Sequence, residues 1–332
     1  MYHVKLSIAS DNAGCNRQLP GRGFEWGDYY FHINEDVAEA DFWVVYSKGQ
    51  RKTETCKCSS DNTLFVTGEP ETVYHYSHRF VKQFARVLSV QDKIRHGNMR
   101  MVQPAQPWHI GKICRNSGQS VKVEYSQDYD SLSVAQPKKT KLMSIITSNK
   151  CFTQGHKDRI EFAMRLKEHY GDSLDLFGHG FRDFDDKWEV IAPYKYHICI
   201  ENSAYPHYWT EKLADCYLGW AFPFYYGCPN LSEYFSSESY KPINIHDVDT
   251  AISVIDKAIE QNLYLQRQGD IAEARLRVLN EYNLFALLVE ELGKMNPKAS
   301  KQVLTIKSDT SFIDIKKIQV MVVNRLKHKI FK

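Results

Sequence analysis

Two clusters in the second half of the chain have the types and spacing to hold an anion. Ile200-Glu201-Asn202-Ser203 closes an apolar run, and Tyr208-Trp209-Thr210-Glu211-Lys212 opens the next helical stretch. A helix beginning there offers free backbone N–H groups and the positive end of its dipole, which suits a phosphate. Lys212 adds a full charge, and Glu211 could accept hydrogen bonds from ribose or sugar hydroxyls. The same residues would also serve a plain capped helix with solvated first-turn charges. Arg159 lies near the start of the preceding helical stretch, after Ser148-Asn149 at a strand end. An arginine so placed can grip a diphosphate with two N–H groups, although a solvated arginine on an amphipathic helix is the commoner use. In the first half, Glu69 follows Leu64-Phe65-Val66-Thr67 directly, between Gly68 and Pro70. A carboxylate on such a loop can act as general base if a substrate hydroxyl reaches it; taken alone it is an ordinary loop carboxylate.

Other constellations carry less. Asp183, Asp185 and Asp186 form a D-x-D-D cluster that could hold a divalent metal on a nucleotide. Their polar surroundings favour a solvated loop instead. Cys56 and Cys58 form a single C-x-C without a second pair, short of the four ligands of a structural zinc site, and their neighbours read as an exposed loop. No metal site is expected. The phosphate loop G-x-x-x-x-G-K-[ST], the nucleophile elbow G-x-S-x-G and the zinc helix H-E-x-x-H are all absent.

The elements that must position these residues follow from the apolar pattern. In the first half, strands are expected at residues 4–9, 41–46 and 64–67, and short helices at 33–40 and 74–87. Residues 126–140 are polar and read as a linker. Beyond it, strands at 141–147, 174–178, 196–200, 221–226 and 242–245 alternate with helices at 156–170 and 210–220, the latter N-capped by Thr210. Longer helical patterns cover 248–265 and 270–292. Strands separated by helices signal βαβ units on a parallel sheet. The reading is α/β, with domains at 1–136 and 141–292 and a basic extension at 293–332.

The chain has 332 residues, 43% hydrophobic and 25% charged, which is ordinary globular composition. A net charge of +3 is too mild to argue for nucleic acid as a partner. No apolar run reaches the roughly 18–20 residues that cross a bilayer. The start, Met1-Tyr2-His3-Val4-Lys5, lacks the apolar core of a secretory leader, so a cytoplasmic protein with reduced thiols is expected.

The run from Tyr194-Lys195-Tyr196-His197-Ile198-Cys199-Ile200 through Glu201-Asn202-Ser203, Tyr208-Trp209-Thr210-Glu211-Lys212-Leu213 and Pro223-Phe224-Tyr225-Tyr226-Gly227 resembles the donor-site signature of the alpha-1,3-fucosyltransferases, glycosyltransferase family 10, of bacterial type. Residues 141–247 are covered well. The first half is covered only at Gly68-Glu69-Pro70. The resemblance implies a GT-B fold, two Rossmann-like domains facing across a cleft. It implies inverting transfer of L-fucose from GDP-beta-L-fucose to a glycan hydroxyl, O3 of N-acetylglucosamine or glucose, with no metal or other cofactor required. Carried over by residue, Arg159 and Lys212 hold the diphosphate, and Asn202 and Tyr208 shape the donor pocket. Glu211 holds ribose or fucose hydroxyls, Ser148 and Asn149 belong to a donor loop, and Glu69 is the general base. Trp209 stands where other bulky or β-branched residues are usual. Without a membrane anchor at its start, the chain is expected to act at the cytosolic side on a lipid-linked or lipopolysaccharide glycan. Two readings compete: another GDP-sugar as donor, and a non-catalytic sugar-nucleotide or glycan-binding protein on the same scaffold.

Residues 316–332 carry Lys316, Lys317, Arg325, Lys327, Lys329 and Lys332, with no acidic residue. Interleaved apolar residues would let this segment rest on an anionic membrane, or pack back on the protein with a basic outer face.

Overall fold

The computed structural model describes residues 1–116, 121–147, 154–312, 315 and 317–320. Ser148 and Asn149 therefore lie outside the described residues, as do Lys316, Arg325, Lys327, Lys329 and Lys332. The chain divides into two units, one of Met1–Pro107 with the described part of Asn283–Lys332, the other Trp108–Tyr282.

The first unit opens with β1 (Tyr2–Ser7), β2 (Glu25–Trp26), β3 (Tyr29–Ile33), β4 (Phe42–Tyr46), β5 (Glu54–Cys58) and β6 (Thr63–Val66), followed by α1 (His78–Val81), β7 (Arg86–Ser89) and β8 (Met99–Met101). Its seven-stranded sheet runs β2-β3-β1-β4-β6-β7-β8. All pairs are parallel except β2 with β3. The middle strand β4, Phe-Trp-Val-Val-Tyr, is buried along its whole length, as expected of a parallel strand covered on both faces. Phe42 and Val44 join one core, and Trp43 and Val45 the other.

Of the two helices expected in this unit, one is absent and the other is cut to four residues. Ile33 ends a strand, and Asn34 turns the chain with φ 60°. The Asn34 N–H donates to the Leu6 carbonyl at 2.9 Å, and its Oδ1 accepts from Ile8 N–H at 2.9 Å. These bonds tie residues 33–40 to the end of β1 rather than to a helix. In residues 74–87 only four residues are helical, because Val87 and Leu88 pair with Phe65 and Val66 of β6. Sheet position overrides a mixed pattern that reads as helical locally.

The second unit begins with a hairpin of β9 (Lys112–Asn116) and β10 (Val121–Tyr125), then α2 (Tyr129–Val134). The alternating core follows: β11 (Lys141–Ile146), α3 (Gln154–Tyr170), β12 (Leu174–Phe177), α4 (Lys187–Ile191), β13 (Tyr194–Ile200), α5 (Glu211–Leu218), β14 (Phe222–Tyr226) and β15 (Lys241–Pro242). Helices α6 (Val248–Glu260), α7 (Leu263–Gln266) and α8 (Gln268–Asn280) complete it. Every pair in the sheet β12-β11-β13-β14-β15 is parallel. From β11 the chain crosses first to one side, to β12, and then back past β11 to β13. The order reverses between β11 and β13, which is where open α/β sheets bind ligands, beyond the carboxyl ends of the strands.

The unit boundaries fall away from those expected at 136–141 and 292–293. Residues 126–140 contain α2, fastened by a capping box in which Asp128 Oδ1 accepts from Ser131 N–H at 2.9 Å. Leu132 is fully buried, and Trp220 Nε1 donates to the Ala135 carbonyl at 2.7 Å, so this stretch belongs to the second unit. At the other end, Asn283 starts a separate helix, α9 (Leu284–Leu292), by accepting from Phe285 and Ala286 N–H groups. The Asn283 side chain also donates to the Gln18 carbonyl at 3.0 Å. The helical pattern over 270–292 is thus two helices, and α9 returns to the first unit's core.

The last strand, β16 (Gln302–Ile306), pairs antiparallel with β5. This overturns the exposed loop expected around Cys56 and Cys58. Both lie on the buried face of β5, at 2% and 0% exposure. Burial pushes the Cys58 thiol up to about 12. The described cysteines are all free. Lys317, expected on a basic surface, is buried instead and meets Asp309 at 2.6 Å. Among the described residues no helix is long and apolar enough to cross a membrane.

Candidate functional site

Three strand ends of the second unit meet at a cavity of about 550 Å³. Thr147 follows β11, Gly178 follows β12 and Asn202 lies beyond β13. The approach of the first two is close: Gly178 has φ +119°, and a Cβ there would stand 1.8 Å from the Thr147 carbonyl oxygen. Only glycine fits. Of the residues singled out in the sequence, Arg159, Asn202, Glu211 and Lys212 all line this cavity. They come from α3, from the loop after β13 and from the first turn of α5.

The joint between β13 and α5 is built around Glu201. Its N–H continues the sheet by donating to the Tyr226 carbonyl at 2.8 Å. The residue is 1% exposed, and its side chain accepts from Thr210 N–H and Thr210 Oγ1, both at 2.8 Å. Thr210 in turn is the N-cap of α5 and accepts from Lys212 N–H at 3.3 Å. The carboxylate thus clamps the helix start to the strand end. Gly227 makes room for it, since a Cβ there would lie 2.5 Å from Glu201 Cγ.

Lys212 Nζ sits 3.2 Å from Glu211 Oε1 and 3.5 Å from Glu201 Oε2. Burial works against its charge, but Glu211, Glu201 and Tyr208 outweigh it and hold the lysine well above its ordinary value. Burial likewise works against Glu211, yet Lys212, then His109 and Lys187, pull its carboxyl well below the usual range. Glu201 goes the other way: burial dominates, and its carboxyl is raised despite Lys212. Arg159 donates to Asn202 Oδ1 at 2.6 Å, and burial lowers its guanidinium. Two lining side chains keep buried atoms without a partner among the described residues, Arg159 Nε and Glu211 Oε2. A site holding two cations and orphaned polar atoms is suited to a polyanionic, hydroxyl-rich ligand.

Tyr208 is 1% exposed and is not a lining residue; its phenol lies within electrostatic range of Arg159 and Lys212. Glu69 belongs to the first unit, half-buried beyond β6. Its carbonyl accepts from Gln91 Nε2 at 2.7 Å, and the same amide donates to the Tyr74 carbonyl at 2.8 Å. Gly68 is held by Tyr76 and Gln106. The loop carrying Glu69 is thus pinned from both sides. Asp186, read as part of a solvated loop, is 2% exposed; it N-caps α4 and accepts from Gly111 N–H at 2.7 Å. Asp183 and Asp185 are exposed as expected. Among the described residues no group of three or more His, Cys, Asp or Glu is arranged to hold a metal.

Sequence reasoning missed several participants. Lys187 and the fully buried Asp215 pair at 2.6 Å, and Asp215 Oδ1 also accepts from His109 and Ile110 N–H groups at 3.0 Å each. This places His109 against Glu211, with Nδ1 3.7 Å from Oε1. The readable signal was Asp215, a lone carboxylate in the apolar run Leu213-Ala214-Asp215-Cys216-Tyr217-Leu218. His197 faces Ser144 at 2.9 Å inside the sheet, and burial pushes it down to about 3.

Residues 136–261 match the model of the C-terminal domain of glycosyltransferase family 10 (fucosyltransferase). The expected resemblance is borne out over that stretch. The chain is 34% identical over 80 residues to the alpha-(1,3)-fucosyltransferase FucT of Helicobacter pylori; the match spans 24% of this chain and 16% of the relative. Among solved structures, an alpha-glucosyltransferase in complex with UDP superposes with a TM-score of 0.54 at 8% identity, over 88% of this chain and 100% of the other. A structure of an alpha1,3-fucosyltransferase with GDP has 18% identity and a TM-score of 0.45 over 85% and 92% of the two chains. The α/β class and the GT-B type, with two Rossmann-like units, are as expected.

Proposed function

We infer, from the family 10 domain at residues 136–261, that this chain transfers L-fucose from GDP-beta-L-fucose to a glycan hydroxyl with inversion. The observation that carries the reading is the convergence of Arg159, Asn202, Glu211 and Lys212 on one cavity at the reversal point of the parallel sheet. The diphosphate lies against Arg159 and Lys212, and Glu211 accepts from ribose or fucose hydroxyls. Glu69 takes the proton of the acceptor hydroxyl as its oxygen bonds to fucose C1. The bond from C1 to the phosphate oxygen breaks, and GDP leaves with its new charge met by the two cations. The sugar has oxocarbenium character in between, by analogy with glycoside cleavage. Support for Glu69 is its position on a pinned loop directly after a buried parallel strand. The acceptor is a glycan ending in N-acetylglucosamine or glucose, taken at O3.

The deciding experiment mixes the protein with GDP-fucose and a panel of N-acetyllactosamine-type and glucose-terminated acceptors, with EDTA present. Released GDP and a fucosylated product are expected. Tight GDP-fucose binding without product on any acceptor would favour a binding protein. Absence of GDP-fucose binding would overturn the donor assignment.

A further inference from the structure

The residues assigned so far hold the phosphates and the sugars, and none of them reads the base. Asp183 lines the same cavity, beside Phe184. Among the described lining residues it and Glu211 are the carboxylates, and Glu211 is engaged by Lys212 at 3.2 Å and by His109 at 3.7 Å. No residue described pairs with the Asp183 carboxylate. Its loop is held in place: Gly178 N–H donates to the Arg182 carbonyl at 2.9 Å, which folds the chain back beside Phe177 at the end of β12. Strands β12 and β13 flank β11, so their ends stand about 10 Å apart at a spacing of about 4.8 Å per strand. That separation puts the Asp183 loop and the residues beyond β13 on different parts of one elongated ligand. Apolar Ile146, Phe184 and Ile191 line the cavity as well and offer a flat base somewhere to lie.

We propose that Asp183 selects guanine, accepting hydrogen bonds from N1–H and the N2 amine with its two carboxylate oxygens; the proposal rests on the nucleotide-sugar reading above. Guanine presents two adjacent donors on its pairing edge, whereas adenine and uracil each present a donor next to an acceptor. An ionised carboxylate is acceptor-only and bidentate, so it matches guanine and repels the acceptors of the others. Arg159 Nε and Glu211 Oε2, enclosed in the same lining, have no hydrogen-bond partner among the described residues.

The test is titration of GDP, inosine diphosphate and xanthosine diphosphate into the wild-type chain and into Asp183→Ala and Asp183→Asn. Inosine lacks the N2 amine, and xanthine replaces it with an acceptor. The wild type should bind GDP about 10- to 100-fold tighter than inosine diphosphate, the scale of a hydrogen bond to a charged group. Asp183→Ala should bring the two within about threefold by removing the charged acceptor. Asp183→Asn, which offers one acceptor and one donor, should bind xanthosine diphosphate more tightly than GDP, a gain that misfolding cannot produce. Variants that bind GDP and keep the wild-type preference over inosine diphosphate would overturn the role of Asp183 alone. A wild type that binds no guanine nucleotide would overturn this role and the donor reading together.

Discussion

Lys212 and Glu211 are sequence neighbours whose charges serve different ends. Lys212 closes a buried triad with Glu211 and Glu201, and that triad keeps it charged in surroundings that disfavour an ammonium. Replacing it with alanine removes the proposed phosphate partner and leaves two buried carboxylates uncompensated. Lys212→Ala is expected to weaken GDP binding about 10- to 100-fold, as measured by titration calorimetry; unchanged affinity would sink the phosphate assignment. Glu69 makes the opposite prediction. Glu69→Gln keeps the shape of the loop pinned by Gln91 but cannot take a proton. Fucosyl transfer should fall by about 10²–10⁴-fold, the contribution of general base catalysis, with GDP-fucose affinity unchanged. A near wild-type turnover number would remove Glu69 from the reaction.

At the scale of elements, the start of α5 is the joint on which the site depends. Thr210 is legible as an N-cap from its place before Glu211 and Lys212, and the structure agrees. Its second task is not legible: it donates N–H and Oγ1 to Glu201, nine positions earlier, with which it shares no helical or strand period. Thr210→Val keeps the volume but loses the cap and strips Glu201 of one donor. A loss of about 2–5 kcal/mol is expected from urea unfolding, combining a cap at about 1–2 with an unmet buried acceptor at about 1–3. Thr210→Ser should restore most of it. The missed strand β7 and the absent helix at 33–40 share one cause. Short mixed segments take the conformation that their sheet neighbours impose, and those neighbours are distant in sequence.

For the whole molecule, the first unit is closed by a segment that returns after the entire second unit. Helix α9 carries Glu291, whose side chain is 7% exposed and meets Arg86 at 3.1 Å, Arg100 at 2.9 Å and Lys294 at 3.2 Å. Burial raises its carboxyl, but Lys294, Arg86 and Arg100 outweigh that and lower it below 4.5. A lowered carboxyl contributes stability above its unfolded value of 4.5 and loses it as pH falls through the folded value. The unfolding midpoint should drop as pH falls below 4.5, and Glu291→Gln should flatten part of that slope. At pH 7 the variant should lose about 1–2 kcal/mol, less than the ~3–5 of a fully buried pair, because its cationic partners remain accessible to water. An identical pH slope in wild type and variant would remove Glu291 from the acid response.

The residue order alone determined the alternation of strands and helices in residues 141–247, the cap at Thr210 and the cations at Arg159 and Lys212. Those features rest on short-range period and on residue type, which are written locally. Tertiary structure decided the rest. It turned an exposed C-x-C loop into a strand with both cysteines on its buried face, because β16, more than two hundred residues away, supplies the partner. It turned one helical pattern into two helices in different units, because Asn283 caps α9 and bonds to Gln18. It joined Glu201, His109 and Asp215 to the site through hydrogen bonds between segments far apart in the chain. Burial creates those contacts: a polar group removed from water must find a partner wherever the fold brings one, and no local pattern records which.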